Sequence, residues 1–143
     1  MIAIAYSFKL ISYKDYDIIW NLSHYILEKY KKKDEIKKIQ LDKLLCSLFC
    51  IYSSYNVIYS LPSMLDIKSQ NNNLTIHNFF GEATAQLVSL VLLSEAYNII
   101  SKNINSDNLK MELYAILNNQ LGEYRNKSFL LRNLQNIKKS EYY

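Results

Sequence analysis

The most constraining feature of this sequence is the apolar run EATAQLVSLVLLSE, which extends from Glu82 to Glu95. A helix that is apolar on nearly every side is either a membrane span or the central helix of a soluble bundle. A span needs about 20 apolar residues, and the two glutamates bound a shorter run. We therefore expect a buried central helix that ends near Asn103. Gly81 precedes it and lets the chain turn sharply.

The composition favours an all-α fold. The 143 residues include only two glycines and one proline. The chain therefore has few of the residues that tight turns, strand hairpins and glycine-rich phosphate loops usually need. Half of the residues are apolar, and this length suits one domain with one core. A single domain over residues 1–143 is therefore expected.

Side chains at helical spacing predict an amphipathic helix before the central one. Ser12 is placed to accept a hydrogen bond as its N-cap, and the pattern continues to about Lys32. Ile19, Leu22 and Ile26 recur at intervals of three and four residues, which puts them on one face. This face is expected to pack on the rest of the bundle.

Four further segments have helical patterns. One begins near Gln40 and is apolar over more than half of its circumference, so it is either deeply buried or reserves surface for a partner. A short helix over 74–80 follows the polar loop SQNNN. Helices over about 106–124 and 127–137 are expected after the central one.

The residues that could carry catalysis or bind a metal do not converge. His24 and His77 are isolated, and no serine elbow, His-Glu-x-x-His pair or phosphate loop occurs. Cys46 and Cys50 fit neither a zinc site nor a disulfide framework, and predict buried or groove-lining thiols in a reducing compartment. We expect neither enzymatic activity nor a cofactor.

The charge pattern leaves one other binding mode open. The net charge is +4, and much of the excess lies in the lysines of residues 29–38. Such a cluster is either a solvated helix end and loop or a surface for an anionic nucleic acid or lipid. With two arginines in the chain and Tyr30 as the single aromatic among these lysines, the first interpretation is favoured and no nucleic-acid partner is expected.

The order of these segments resembles the Bcl-2 fold, and more narrowly the poxviral Bcl-2-like apoptosis inhibitors. The segments that carry the resemblance are DIIWNLSHYILEKY, LDKLLCSLFCIYSSY and LTIHNFFGEATAQLVSLVLLSEAYNIISKN. They lie between Asp17 and Asn103, and the whole similarity covers about Ile18 to Tyr124. It implies about seven helices packed round a buried central helix, with a surface groove that captures death-motif (BH3) helices.

The groove motif of that family is matched loosely. Where the family has Asn-Trp-Gly-Arg, this chain has Asn78, Phe79, Phe80, Gly81 and Glu82, so the aromatics and the glycine are kept and the arginine is missing. In cellular members the arginine pairs with an aspartate of the bound helix. The resemblance then implies that a neutral donor one turn later replaces it, or that apolar contacts provide the affinity.

The resemblance also implies the groove residues. The floor is expected to consist of Ala85, Gln86 and Ser89, whose side chains allow a ligand helix to approach. The walls are expected to be Leu45, Leu48, Phe49 and Tyr52 on one side and Tyr55, Ile58, Met64, Phe79 and Phe80 on the other, with Glu82 at the rim. On this basis Ala85→Trp should abolish peptide binding while the chain stays helical.

The implied function is inhibition of host-cell apoptosis by a viral protein. The groove would sequester the BH3 helices of Bax/Bak-type effectors or of their activators, in the host cytoplasm or at the mitochondrial outer membrane. Membrane attachment would need a C-terminal anchor, which KKSEYY does not supply. The alternative is a poxviral inhibitor of innate, NF-κB-type signalling that has a closed groove and binds adaptors through outer helix faces. Pairing of two copies as a homodimer stays open.

Overall fold

A computed structural model describes residues 2–31, 38–105 and 107–118 of the chain. Within these ranges the structure is mostly helical, which confirms the predicted all-α class. The predicted helix over 127–137 and the end of the one over 106–124 lie outside the described residues. The elements are α1 (Ile2–Lys9), α2 (Tyr13–Lys31), α3 (Lys38–Tyr59), β1 (Ser69–Gln70), β2 (Asn73–Leu74), α4 (Ile76–Phe80), α5 (Glu82–Asn103) and α6 (Asp107–Ile116).

The start of α2 follows the sequence pattern closely. The Asp15 backbone N–H donates to Ser12 Oγ at 3.3 Å, so Ser12 caps the helix as predicted. Ile19 and Ile26 are fully buried and Leu22 is partly buried. These three side chains therefore form the predicted packing face of α2.

A short hairpin replaces the loop that SQNNN predicts. Strands β1 and β2 are antiparallel and pair Ser69 with Leu74. The turn between them contains Asn71 and Asn72, with φ angles of 50° and 62°. Two successive positive φ angles are typical of the turn that best joins twisted strands, and asparagine tolerates them better than most residues. The small glycine count therefore did not exclude a hairpin.

The chain turns between α4 and α5 at Gly81, as the sequence predicts. Gly81 has a φ of 96°, a conformation that L side chains rarely adopt. Its backbone N–H donates to the carbonyl of His77 at 3.0 Å, and its carbonyl accepts from the Ala85 N–H at 3.1 Å. One residue thus ends α4 and starts α5.

The prediction that α5 is buried on all sides is wrong. Its interior face consists of Ala85, Val88, Ser89, Leu92, Ala96 and Ile100. On the opposite side, Leu87, Leu90 and Val91 are 63%, 61% and 45% exposed. The most enclosed helix is α3, in which every residue from Cys50 to Ser54 is buried.

Helices α3 and α5 pack against each other through small residues. Ser47 Oγ donates to the Ala96 carbonyl at 2.7 Å. Seven residues further along α3, Ser54 Oγ donates to the Ser89 carbonyl at 2.9 Å, and Ser89 Oγ donates back to the Ser54 carbonyl at 3.1 Å. The pairing order shows that the two helices are antiparallel. Because these side chains are short, a hydroxyl on one helix reaches the backbone of the other.

Helix α5 also has the length and composition of a membrane span, and it is the one such helix among the described residues. The apolar run ends at Glu95, whereas the helix continues to Asn103, so the length of the helix does not exclude a span. A core helix can meet the same two criteria. Here α5 contacts α1, α3, α4 and α6 and holds Glu95 within its length, which fits a helix of a bundle better.

Candidate functional site

The structure separates the thirteen predicted groove residues by burial. Leu48, Tyr52, Ala85 and Ser89 are buried, whereas Met64, Phe79, Glu82 and Gln86 are exposed. The other five are partly buried: Leu45, Phe49, Tyr55, Ile58 and Phe80. The set therefore does not form one continuous surface.

The predicted groove floor faces the protein interior. Ala85 is completely buried, and Ser89 is hydrogen-bonded to Ser54 on α3 through both its hydroxyl and its carbonyl. A ligand helix cannot occupy this position because α3 already fills it. The placement of Ala85 and Ser89 on a groove floor is therefore corrected: both belong to the α3–α5 contact. Gln86 is exposed beside them.

The predicted first wall is directed toward α2 instead of a groove. Leu48 and Tyr52 are fully buried, and the Tyr52 hydroxyl donates to Asp15 Oδ1 in the first turn of α2. The ring of Phe49 lies 4.9 Å from that of Tyr16, also on α2. These side chains hold α2 against α3 and do not line an open surface.

The predicted second wall is divided between two aromatic groups. Phe79 and Phe80 pack on Tyr6 of α1, with ring centroids 5.3 and 5.4 Å away. Tyr55 stacks on Tyr59 at 6.2 Å, and burial, followed by its neighbours Tyr97 and Tyr59, raises the pKa of Tyr55. No pattern in the sequence singled out Tyr6, which lies on α1.

The largest apolar side chains exposed on α5 form a single patch. Leu87, Leu90 and Val91 are spaced by three and four residues, so they lie side by side on the helix. Ala83, also exposed, extends the row by one turn toward the N-terminus. We call Ala83, Leu87, Leu90 and Val91 the α5 patch. No sequence signal distinguished it, because an apolar run predicts burial for every member.

Two carboxylates accompany the α5 patch. Glu95 follows Val91 by one turn, whereas Glu82, next to Ala83 in sequence, lies about a quarter of a turn round the helix from it. Both side chains are exposed. Carboxylates near an apolar surface favour a partner with basic residues and oppose an acidic one. The α5 patch is thus apolar, with one carboxylate, that of Glu95, near its C-terminal end.

The described residues contain no group of three or more histidine, cysteine or acidic side chains that could hold a metal ion. His24 packs its ring against Trp20 at 4.6 Å, which agrees with an aromatic pair at the edge of α2. His77 is buried, and its Nε2 is 3.5 Å from Thr75 Oγ1. The hydrogen bond described for a histidine ring joins His77 to Thr75, not to the α5 patch.

The two thiols differ in burial. Cys46 is exposed, whereas Cys50 is buried. Of the two thiols that were expected to be buried or to line a groove, only Cys50 is buried. Burial, with smaller contributions from Cys46 and Glu95, raises the pKa of Cys50 to about 11. The reactive form of cysteine is the thiolate, which Cys50 therefore lacks near neutral pH.

We expect iodoacetamide at pH 8 to label one thiol rapidly in the native chain. Mass spectrometry of the digested product should find the label on Cys46, and Cys46→Ser should remove the rapid phase. Labelling of Cys50 at a rate similar to that of Cys46 would contradict the buried position of Cys50. Unfolding in urea should make both thiols reactive, which provides the internal control.

Comparison of the chain with protein-family models and with curated proteins gives no match. The functional conclusion therefore depends on the geometry of the described residues and on the resemblance of the sequence pattern.

Proposed function

We propose that this protein binds an amphipathic helix of a partner protein on the α5 patch. The observation that carries the proposal is the exposure of Leu87, Leu90 and Val91, at 63%, 61% and 45%, on one side of a well-packed helix. Exposed apolar side chains that are scattered singly are ordinary, but a contiguous row marks an interaction surface. The row has the spacing with which one helix contacts another.

The size of the α5 patch favours a helical segment as the partner. A stable protein–protein interface buries about 800 Å² on each side, which corresponds to about 20–30 residues. Four side chains, one of them an alanine, provide much less than that. A second folded copy of the chain would therefore pair weakly through this patch alone, whereas a single helix can insert a few apolar anchors.

The surroundings of the patch favour the closed-groove alternative over groove sequestration. Ala85 and Ser89 contact α3, so an amphipathic helix would bind on the outer side of α5. Glu95, one turn beyond Val91 and exposed, would repel the aspartate of a BH3 helix and attract lysine or arginine. We thus infer an adaptor-binding role of the kind expected for the alternative, a closed-groove signalling inhibitor with the same fold as the apoptosis inhibitors that the sequence resembles.

The proposal is tested by titration calorimetry with three synthetic helical peptides of about 18 residues, each with apolar anchors at positions i, i+3, i+4 and i+7. One carries lysines beside the anchors, one carries glutamates at the same positions, and the third is a Bak-type BH3 peptide. We expect the lysine peptide to bind most tightly. Selective, tight binding of the BH3 peptide would instead support groove sequestration.

Leu90→Glu should weaken binding of the lysine peptide by at least tenfold, since burying one leucine contributes about 1.5–3 kcal/mol. Met111→Glu on α6 is the matched control, because Met111 is also a large exposed apolar residue, 68% accessible. The control should bind like the unmodified chain. If Leu90→Glu leaves the affinity unchanged, the α5 patch is not the binding surface.

A further inference from the structure

A second site lies at the N-terminal end of α2. The end of α1, the start of α2 and the β1–β2 turn meet here. A cavity of about 390 Å³ opens to the surface here. This volume lies within the range of pockets that bind small molecules, about 300–1,000 Å³. The residues that line it are Phe8, Lys9, Ile11, Tyr13, Tyr16 and Asn71.

Contacts between distant parts of the chain hold the walls of this cavity in place. Asn71 Nδ2 donates to the Lys9 carbonyl at 3.0 Å and to the Ile11 carbonyl at 3.4 Å, which attaches the hairpin turn to the α1–α2 connection. Tyr16 contacts the ring of Phe49. The first turn of α2 is fixed from the other side by the hydrogen bond between Asp15 and Tyr52. A pocket formed in advance costs a ligand little reorganisation.

The lining chemistry defines the class of ligand. Three of the six side chains are aromatic, and Ile11, which is 1% exposed, supplies an apolar wall. Lys9 supplies a positive charge, and none of the six side chains is acidic. Tyr13 is 86% exposed, so a ligand in the cavity would cover apolar ring surface that water now contacts.

We propose that this cavity binds a small planar aromatic molecule that carries one negative group. The flat ring of the ligand packs between the tyrosines and Phe8, and its carboxylate or similar anion pairs with the Lys9 ammonium. Aromatic rings favour stacked or edge-to-face contacts with other rings, and an ammonium–carboxylate pair is a charge-assisted hydrogen bond. The site shares no residue with the α5 patch and does not depend on the proposed function.

Three probes with the same ring and different charge test the proposal: indole-3-acetate, indole and tryptamine. Two-dimensional amide NMR spectra of the full chain are recorded while each probe is added. We expect affinity to fall in that order, from the anion to the neutral compound to the cation. The largest shifts should be at Lys9, Ile11, Tyr13 and Asn71.

Two variants separate the charge from the rings. Lys9→Gln keeps the backbone carbonyl that Asn71 binds, and should weaken indole-3-acetate about fivefold, equivalent to about 1 kcal/mol for an exposed ion pair, while leaving indole unchanged. Tyr13→Ala should weaken all three probes. Lys102→Gln, an exposed lysine in the last turn of α5, is the control and should change nothing.

Equal affinity of the three probes would overturn the proposal, because it would mean that Lys9 does not select for charge. Shifts centred on residues 87–91 would also overturn it, since the probes would then be binding to the α5 patch. Leu90→Glu should leave indole-3-acetate binding intact, so failure at one site can be told apart from failure at the other.

Discussion

Ala85→Trp is expected to lower the free energy of unfolding by about 3 kcal/mol or more, and to prevent native packing of α5 on α3. Ala85 is completely buried on the interior face of α5, one turn before Ser89, which contacts α3. Inserting extra atoms into a packed core costs about 1–3 kcal/mol, and an indole adds more than the usual one or two methylenes. Urea unfolding followed by circular dichroism measures the change.

Ala83→Trp is the matched control, because it places the same side chain on the exposed side of the same helix, two residues earlier. Its free energy of unfolding should stay within about 0.5 kcal/mol of the unmodified chain. The sequence alone predicts a different outcome for Ala85→Trp, namely lost peptide binding with an intact fold. A variant as stable as the unmodified chain would restore the groove interpretation.

Leu48→Ala should destabilise the protein by about 2–5 kcal/mol, the usual range when a buried leucine is truncated. Leu48 is fully buried on α3, where it belongs to the main apolar cluster. Truncation removes apolar contacts and leaves a cavity that the neighbouring side chains fill only in part. The same urea titration gives the loss of stability directly.

The same substitution at Leu90 tests which helix is central. Leu90 is 61% exposed on α5, so Leu90→Ala should change stability by about 0.5 kcal/mol or less. The apolar run that includes Leu90 predicts the reverse order, with the larger loss on α5. Equal losses at the two leucines would mean that the outer face of α5 is covered in solution.

The parts of the fold that the sequence predicted well depend on local chemistry. The Ser12 cap, the turn at Gly81 and the buried Ile19 and Ile26 each follow from one residue type at one position. Such features need no knowledge of distant segments. The hairpin was missed because Asn71 and Asn72 adopt a conformation that glycine is usually expected to supply.

The identity of the central helix could not be read from hydrophobicity. Helix α3 buries Ser47, Ser53 and Ser54, residues that count as polar in any hydropathy pattern. Two of these hydroxyls are satisfied by carbonyls of α5, which a pattern confined to one helix cannot reveal. Leu87 and Leu90 face outward, because Ser89 and Ala96 on the other side of α5 make the contacts with the α3 hydroxyls.

The sequence and the structure place the candidate site on different faces of α5. Ala85 and Ser89 of the predicted groove floor lie on the interior face, whereas the proposed α5 patch lies on the exposed face. The missing information was the orientation of the helix about its own axis. Ser54 determines that orientation through its hydrogen bond with Ser89, a contact between residues 35 positions apart.

The hydrogen bonds between α3 and α5 also bear on how this fold could diverge in evolution. Ser47 binds the backbone carbonyl of Ala96, not its side chain. Position 47 therefore contributes to the contact through its side chain, while position 96, which is completely buried, contributes its backbone carbonyl and needs a small side chain. We expect relatives with strongly diverged sequences to keep short side chains seven residues apart on two antiparallel helices, even where none of their leucines aligns with those of this chain.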